Sequence, residues 1–148
     1  MTRLATKYLG LDLRSPLVAS AGPLTRHPDH ALRLQQGGAA AIVLPSLFEE
    51  EIVHEQLELD RALETGTEGF AEALNYFPDF SAFETTTDHY LGALEQMKTR
   101  LDIPVIASLN ASSPGGWVRY ARMIEEAGAD ALELNLYRIA TEPALTGA

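Results

Sequence analysis

An α/β fold built on a parallel sheet is what this sequence predicts, from three observations. Short apolar runs alternate with amphipathic helical stretches, the order of βαβ units. A helix–Gly–strand junction occurs twice, as Gly38-Ala39-Ala40-Ala41-Ile42-Val43-Leu44 and Gly128-Ala129-Asp130-Ala131-Leu132-Glu133-Leu134, with the shared pattern Gly-Ala-x-Ala-apolar-x-Leu. Repeated junctions are what a barrel of similar units produces. No Gly-x-Gly-x-x-Gly turn follows any strand, so the fingerprint of a dinucleotide-binding open sheet is missing. The expected architecture is a partial (β/α)8 TIM barrel: the first four βα units with an N-terminal hairpin, one domain over residues 1–148. A complete barrel takes about 250 residues.

The elements are expected in this order. Tyr8-Leu9-Gly10-Leu11-Asp12-Leu13-Arg14 alternates around a Gly and reads as a hairpin outside the main sheet. Ser15-Pro16-Leu17-Val18-Ala19-Ser20-Ala21-Gly22-Pro23 reads as a buried strand ending in a tight small-residue loop. A helix over Asp29–Gln36 stops at Gly37-Gly38. The second strand, Ala39–Leu44, is expected to stop at Pro45, which cannot donate to a central ladder. Phe48–Leu63 reads as an acidic helix, with Ser46 as a candidate cap. Residues 64–87 read as an irregular excursion, and Thr87 or Asp88 as the cap of a helix running to Arg100. A third strand over Ile103–Asn110, a loop at Ser112-Ser113-Pro114-Gly115-Gly116 with Pro114 near a helix start, a helix over Trp117–Ala127 and a fourth strand over Ala129–Leu136 complete the pattern. Val118, Ala121, Met123 and Ile124 are expected on the apolar side of that last helix, and Trp117 between helix and sheet.

Composition narrows the function. The chain has 148 residues, is 46% hydrophobic and carries a formal charge of −10, which disfavours nucleic acid and anionic membrane surfaces as partners. It has no cysteine, so disulfides, thiolate metal sites and a cysteine nucleophile are excluded. His27, His30, His54 and His89 show no metal-ligand spacing. No signal peptide or apolar span is present, and a cytoplasmic protein acting on a small molecule is expected. Glu49-Glu50-Glu51 reads as a solvated helix start, favourable to the helix dipole.

In a barrel the chemistry gathers at the C-terminal ends of the strands. Those ends supply Ser20, Ala21 and Gly22; Pro45 and Ser46; Ser108 and Asn110; and Asn135, Tyr137 and Arg138. Small residues let a flat ligand approach the backbone, and hydroxyls and amides bond ring nitrogens and carbonyls without adding charge. Asn135 is the sharpest candidate, because a buried Asn needs several partners. Glu133 points opposite to Leu132 and Leu134, so it faces either the lumen or the helix layer and requires a partner.

The segments Tyr8–Val18, Asn75-Tyr76-Phe77-Pro78 and Leu132-Glu133-Leu134-Asn135-Leu136 resemble the dihydroorotate dehydrogenase family, closest to its dihydroorotate dehydrogenase-like branch. The resemblance runs over the whole chain and corresponds to the first half of that family's barrel. It implies an FMN-containing (β/α)8 barrel that oxidises dihydroorotate to orotate in pyrimidine synthesis. It also implies flavin contacts at Ser20, Ala21, Gly22, Ser46, Ser108 and Asn135, and substrate contacts at Asn75 and Asn135. Three places depart from the family. Pro45 stands where a Lys is usual, the Gly that normally follows the substrate-loop Asn is replaced around Pro78, and Asn135-Leu136-Tyr137-Arg138-Ile139-Ala140 stands where the family has Asn-Leu-Ser-Cys-Pro-Asn. Arg138 thus takes the place of the catalytic base, and a guanidinium stays protonated at neutral pH. The expectation is an FMN oxidoreductase acting on dihydroorotate or a related small anionic substrate, homo-oligomeric as the parent, with the fragment inactive alone. The alternative is a barrel that binds a ligand or partner without redox chemistry, its base lost.

Overall fold

The computed structural model describes residues 4–67 and 85–136. Asn75, Tyr137 and Arg138 lie outside these described residues. A hairpin of β1 (Thr6–Tyr8) and β2 (Leu11–Leu13) comes first, as its own antiparallel sheet. Its two-residue turn holds Leu9 at φ 52° and Gly10 at φ 79°. Paired positive φ values match the twist of a hairpin, and glycine adopts one of them without strain.

The main sheet is parallel and four-stranded in the order β3-β4-β5-β6, from β3 (Val18–Ala19), β4 (Ala41–Phe48), β5 (Val105–Asn110) and β6 (Ala131–Leu134). Sequence order equals spatial order, as in one wall of a barrel. The helices are α1 (Pro28–Gln36), α2 (Glu49–Thr67), α3 (Thr86–Arg100) and α4 (Pro114–Glu126), with a short 3-10 turn at Pro23–Thr25. The model is therefore a mixed α/β structure consistent with a partial TIM barrel.

The two copies of the repeated junction fold alike. Gly38 at φ 109° and Gly128 at φ 89° reverse the chain after α1 and α4. The next amides, of Ala39 and Ala129, reach back to the carbonyls of Leu34 (3.0 Å) and Ile124 (3.3 Å). This left-handed glycine closure satisfies helix carbonyls that would otherwise be orphaned. Arg14 adds two donors at the end of α1, to the carbonyls of Gln35 (2.7 Å) and Ala39 (2.6 Å).

Strand alternation divides the sheet into two faces. Ile42, Leu44, Leu47, Val105, Ala107 and Leu109 pack on the helices, with Ala31, Leu94, Met97, Tyr120 and Ile124. Ala41, Val43 and Ile106 face the other side, the lumen side of a barrel, against Leu13 of the hairpin. Burying some of these side chains completely is the main stabilising term, at about 1.5–3 kcal/mol each.

Several expectations are corrected. β4 does not stop at Pro45 but runs through it to Phe48. The ladder to β5 shifts register between Val43 and Ser46, so Pro45 is the extra residue of a bulge. A bulge is one of the few sheet positions that spares a proline its missing N–H. The extra residue also keeps Leu47 on the helix side, with Ser46 in register with Ser108 on the lumen side. Ser46 is therefore a strand residue and not the cap of α2. Thr85, rather than Thr87 or Asp88, caps α3: its hydroxyl accepts the Asp88 amide (3.2 Å) and Asp88 returns the bond to the Thr85 amide (3.0 Å). α4 begins at Pro114 on a Ser113 cap, three residues before Trp117, and Val118 on it is exposed.

β3 and β6 are the edges of the sheet among the described residues, and Leu134 and Leu136 near one edge are exposed. Unpaired edges offer backbone donors and acceptors to another chain. The 148-residue chain is expected to self-associate. Sedimentation velocity over a concentration series checks this, and a monodisperse monomer throughout would contradict it.

Candidate functional site

The lumen-side residues form rows across the sheet. Val43, Ile106 and Ala131 make an apolar row. One step toward the C-terminal ends, Ser46, Ser108 and Glu133 stand in register. The Asn135 amide continues the ladder by donating to the Leu109 carbonyl at 2.9 Å. The row changes from apolar to polar where a barrel's active face begins.

Four side chains meet there. The Ser46 and Ser108 hydroxyls are 2.8 Å apart. Asn135 Nδ2 donates to Ser46 Oγ (2.6 Å) and to Ser108 Oγ (3.3 Å). Ser108 Oγ donates to Glu133 Oε1 at 2.9 Å, so it is Ser46 Oγ that donates to Ser108 Oγ. Asn110 Nδ2 donates to the Asn135 carbonyl at 3.1 Å, fixing the backbone after β6. Glu133 therefore lies on the lumen side, and Ser108 is its partner.

Exposure sorts these groups by role. Ser108 is 0% exposed, and its hydroxyl joins Ser46, Glu133 and Asn135. It is the hub that holds the others. Ser46 and Asn135 are half-buried and reach the surface of the site. Among the described residues, every hydrogen bond of the Asn135 side chain is made through Nδ2. Among those residues no donor meets Oδ1, an atom able to accept an N–H. Ser20 and Ala21 are exposed at the end of β3, and Gly22 is half-buried in extended backbone. They directly follow β3, the strand beside β4, with little or no side chain.

The backbone around Ser108 is held from the other face. Tyr90 on α3 donates its hydroxyl to the Ser108 carbonyl (3.1 Å) and accepts the Ser108 amide (3.0 Å). This phenol reaches the stretch where Pro45 interrupts the regular ladder. Burial pushes the Tyr90 phenol up to about 12, the Ser108 backbone contact opposing and Glu133 adding to the rise. Spectrophotometric titration is expected to show one tyrosine ionising well above the ordinary phenol near 10. Tyr90→Phe should abolish that step and destabilise the chain by about 1–2 kcal/mol. A titration unchanged by Tyr90→Phe would contradict the assignment.

A second group was not legible in the sequence. Glu49 is 8% exposed, not solvated as the acidic run suggests, while Glu50 and Glu51 are exposed. Its carboxylate sits at the N-terminus of α4. Oε2 accepts the amides of Ser112 (2.7 Å) and Ser113 (2.8 Å) and the Ser112 hydroxyl (3.3 Å). Oε1 accepts the Ser113 hydroxyl at 2.5 Å, and Ser113 Oγ in turn accepts the Gly116 amide at 2.9 Å. A helix N-terminus is a ready anion site; here the chain fills it with its own carboxylate. The signal in the sequence was the Ser112-Ser113-Pro114-Gly115-Gly116 turn, which advertises such a terminus without naming its anion.

Burial alone would raise the Glu49 carboxyl, but the Ser113 and Ser112 hydrogen bonds outweigh it and hold the group below its ordinary value of 4.5. A folded-state value below the unfolded one adds stability above pH 4.5 and loses it as pH falls through the folded value. Asp29 and Asp88 are lowered as well, by Arg100 and by Thr85 respectively. The melting temperature is therefore expected to fall on acidification below that range, and Glu49→Gln should flatten part of the fall. A Glu49→Gln melting curve parallel to wild type across this range would contradict the coupling.

Two cavities flank the cluster. One of about 480 Å³ lies under the hairpin and is lined by Tyr8, Leu13, Val43, Ile106 and Glu133. The other, about 780 Å³, lies outside the bulge and is lined by His27, Pro45, Ser46, Asp88 and Tyr90. Among the described residues, no cluster of three or more His, Asp or Glu could hold a metal ion, and no helix is long and apolar enough to cross a membrane.

No family model matches the chain. Two curated proteins do. One, from Aeropyrum pernix, carries the provisional name dihydroorotate dehydrogenase A (fumarate) and is 30% identical over 141 residues, 90% of this chain. The chain resembles dihydroorotate dehydrogenases. The other match is the catalytic subunit of a dihydroorotate dehydrogenase B (NAD(+)) from Thermoplasma acidophilum, 29% identical over 147 residues, 92% of this chain. The chain spans 40% and 42% of the lengths of these two relatives. The resemblance stated from the sequence segments thus extends across nearly all of the chain.

Proposed function

We propose that these residues form part of a dihydroorotate dehydrogenase-like, FMN-dependent oxidoreductase acting on dihydroorotate or a related small anionic substrate. The observation that supports the reading most is the convergence of Ser46, Ser108 and Asn135 at the strand ends. The chain's likeness to two proteins named as dihydroorotate dehydrogenases adds to it.

The residues present suit a flavin ring. The ring offers an imide N–H, and Asn135 Oδ1 or the remaining lone pair of Ser46 Oγ, whose proton goes to Ser108, offers it a neutral acceptor. The small residues Ser20, Ala21 and Gly22 leave room for a planar group against the backbone. When bound, FMN would accept the hydride that the substrate gives up. The chain's own contribution is positioning. Ser108 and Glu133 lock the rotamers of Ser46 and Asn135, and Asn110 fixes the backbone after β6. Asn75 and Arg138 belong to the substrate side of this reading: an amide for the substrate's carbonyl, and a guanidinium that pairs with a carboxylate. Arg138 takes no proton, and this reading gives the role of base to no residue of the chain.

The intact protein is read as a cytoplasmic homo-oligomer with a small-molecule substrate. This chain alone is read as inactive, because phosphate sites of such barrels are commonly built from the loops after strands seven and eight. A chimera tests the reading: this chain replaces the matched segment of the Thermoplasma acidophilum relative. Anaerobic addition of dihydroorotate should bleach the flavin absorbance. Tight flavin binding with no bleaching by any dihydro-substrate would favour the alternative, a ligand-binding barrel without redox chemistry.

A further inference from the structure

Glu49 stands three residues after Ser46 on one strand end, and its carboxylate ends two residues beyond Asn110 on the next. It closes a loop of contacts. β4 and β5 are joined along their ladder, then by the Ser46–Ser108 hydroxyl pair, and finally by Glu49 on the Ser112-Ser113 turn. The ladder shifts register between Val43 and Ser46 and resumes over only three pairs, Ser46–Ser108 to Phe48–Asn110, and Glu49 adds a link beyond the last of them. The space at Gly116 shows how closely the carboxylate is seated: a Cβ added there would fall on the carboxylate atoms of Glu49.

We infer that Glu49 is a positioning residue, an internal anion that clamps the end of β4 to the start of α4 and thereby sets the Ser46–Ser108–Asn135 cluster. It touches no ligand in this role. The inference deepens the flavin-site reading, but its physical core concerns only the spacing of two strand ends. The alternative is a cap that stabilises α4 locally and leaves the cluster indifferent.

The four donors at the turn provide the test. Glu49→Ala opens a carboxylate-sized space facing two amides and two hydroxyls, which free formate can enter. Hydrogen exchange is followed by mass spectrometry on the 148-residue chain, with formate or chloride added. Glu49→Ala should speed exchange on the order of tenfold in peptides covering both 41–48 and 105–113, and formate but not chloride should restore protection. Glu49→Gln, which keeps the shape, should give a smaller effect of the same pattern. Faster exchange confined to 112–117, or a loss across the whole chain that formate does not reverse, would overturn the clamp. The same variant in the chimera should bind FMN more weakly, with formate restoring affinity. A wild-type chimera that binds no FMN would sink the flavin reading while leaving the exchange result to decide the clamp.

Discussion

Gly116→Ala is expected to destabilise the chain by about 3 kcal/mol, far more than an alanine in a first helical turn ordinarily would. Alanine improves helix propensity by about 1 kcal/mol, so propensity alone predicts the opposite sign. The sign is set by the Glu49 carboxylate, which fills the space where the new methyl must go. Glu49 cannot step aside freely. Moving it orphans the Ser112 and Ser113 amides and breaks its bond from the Ser113 hydroxyl, which accepts from Gly116 itself. These bonds are part-buried and made to a charged group, and each is worth about 1.5–3 kcal/mol at most. Chemical denaturation measures the change. A neutral or stabilising Gly116→Ala would show that the carboxylate is not held where the structure has it.

Ser108→Val is expected to cost about 3 kcal/mol and to loosen the candidate site as a whole. The side chain is 0% exposed, so the extra methyl has no free volume to enter. The lost hydroxyl serves Ser46, Glu133 and Asn135 at once. Ser46 and Asn135 keep one another through their 2.6 Å bond, so the cluster should loosen rather than vanish. Ser108→Ala separates the two contributions: it removes the hydroxyl without adding volume and should cost less than Ser108→Val. Equal costs for the two would mean that volume contributes nothing at this position.

These variants also show where sequence reasoning reached and where it stopped. The hairpin, the alternation of strands and helices and the twin glycine closures at Gly38 and Gly128 were all readable, because each depends on local periodicity or on a positive φ that favours glycine. The polar strand ends were readable too, since a parallel strand announces its C-terminal end by a change from aliphatic to small polar residues. The course of β4 was not. Pro45 ends a strand by local rules, and only the partner strand's register turns it into a bulge. The burial of Glu49 is not legible for a related reason: three acidic residues in a row carry no mark of which one folds back onto a turn 63 residues away. Tyr90 gave no signal, because a tyrosine in an amphipathic helix is ordinary until its hydroxyl is seen between the amide and carbonyl of one residue on another element.

The flavin reading turns on whether the Ser46–Ser108–Asn135 cluster faces the ring. Titration of FMN into the apo-chimera, followed by flavin fluorescence quenching, tests this most directly. The chimera is expected to bind FMN, and Asn135→Ala should weaken binding on the order of tenfold, the loss of about one ligand hydrogen bond. A chimera that folds but binds no FMN, or one whose affinity is untouched by Asn135→Ala, would contradict the account.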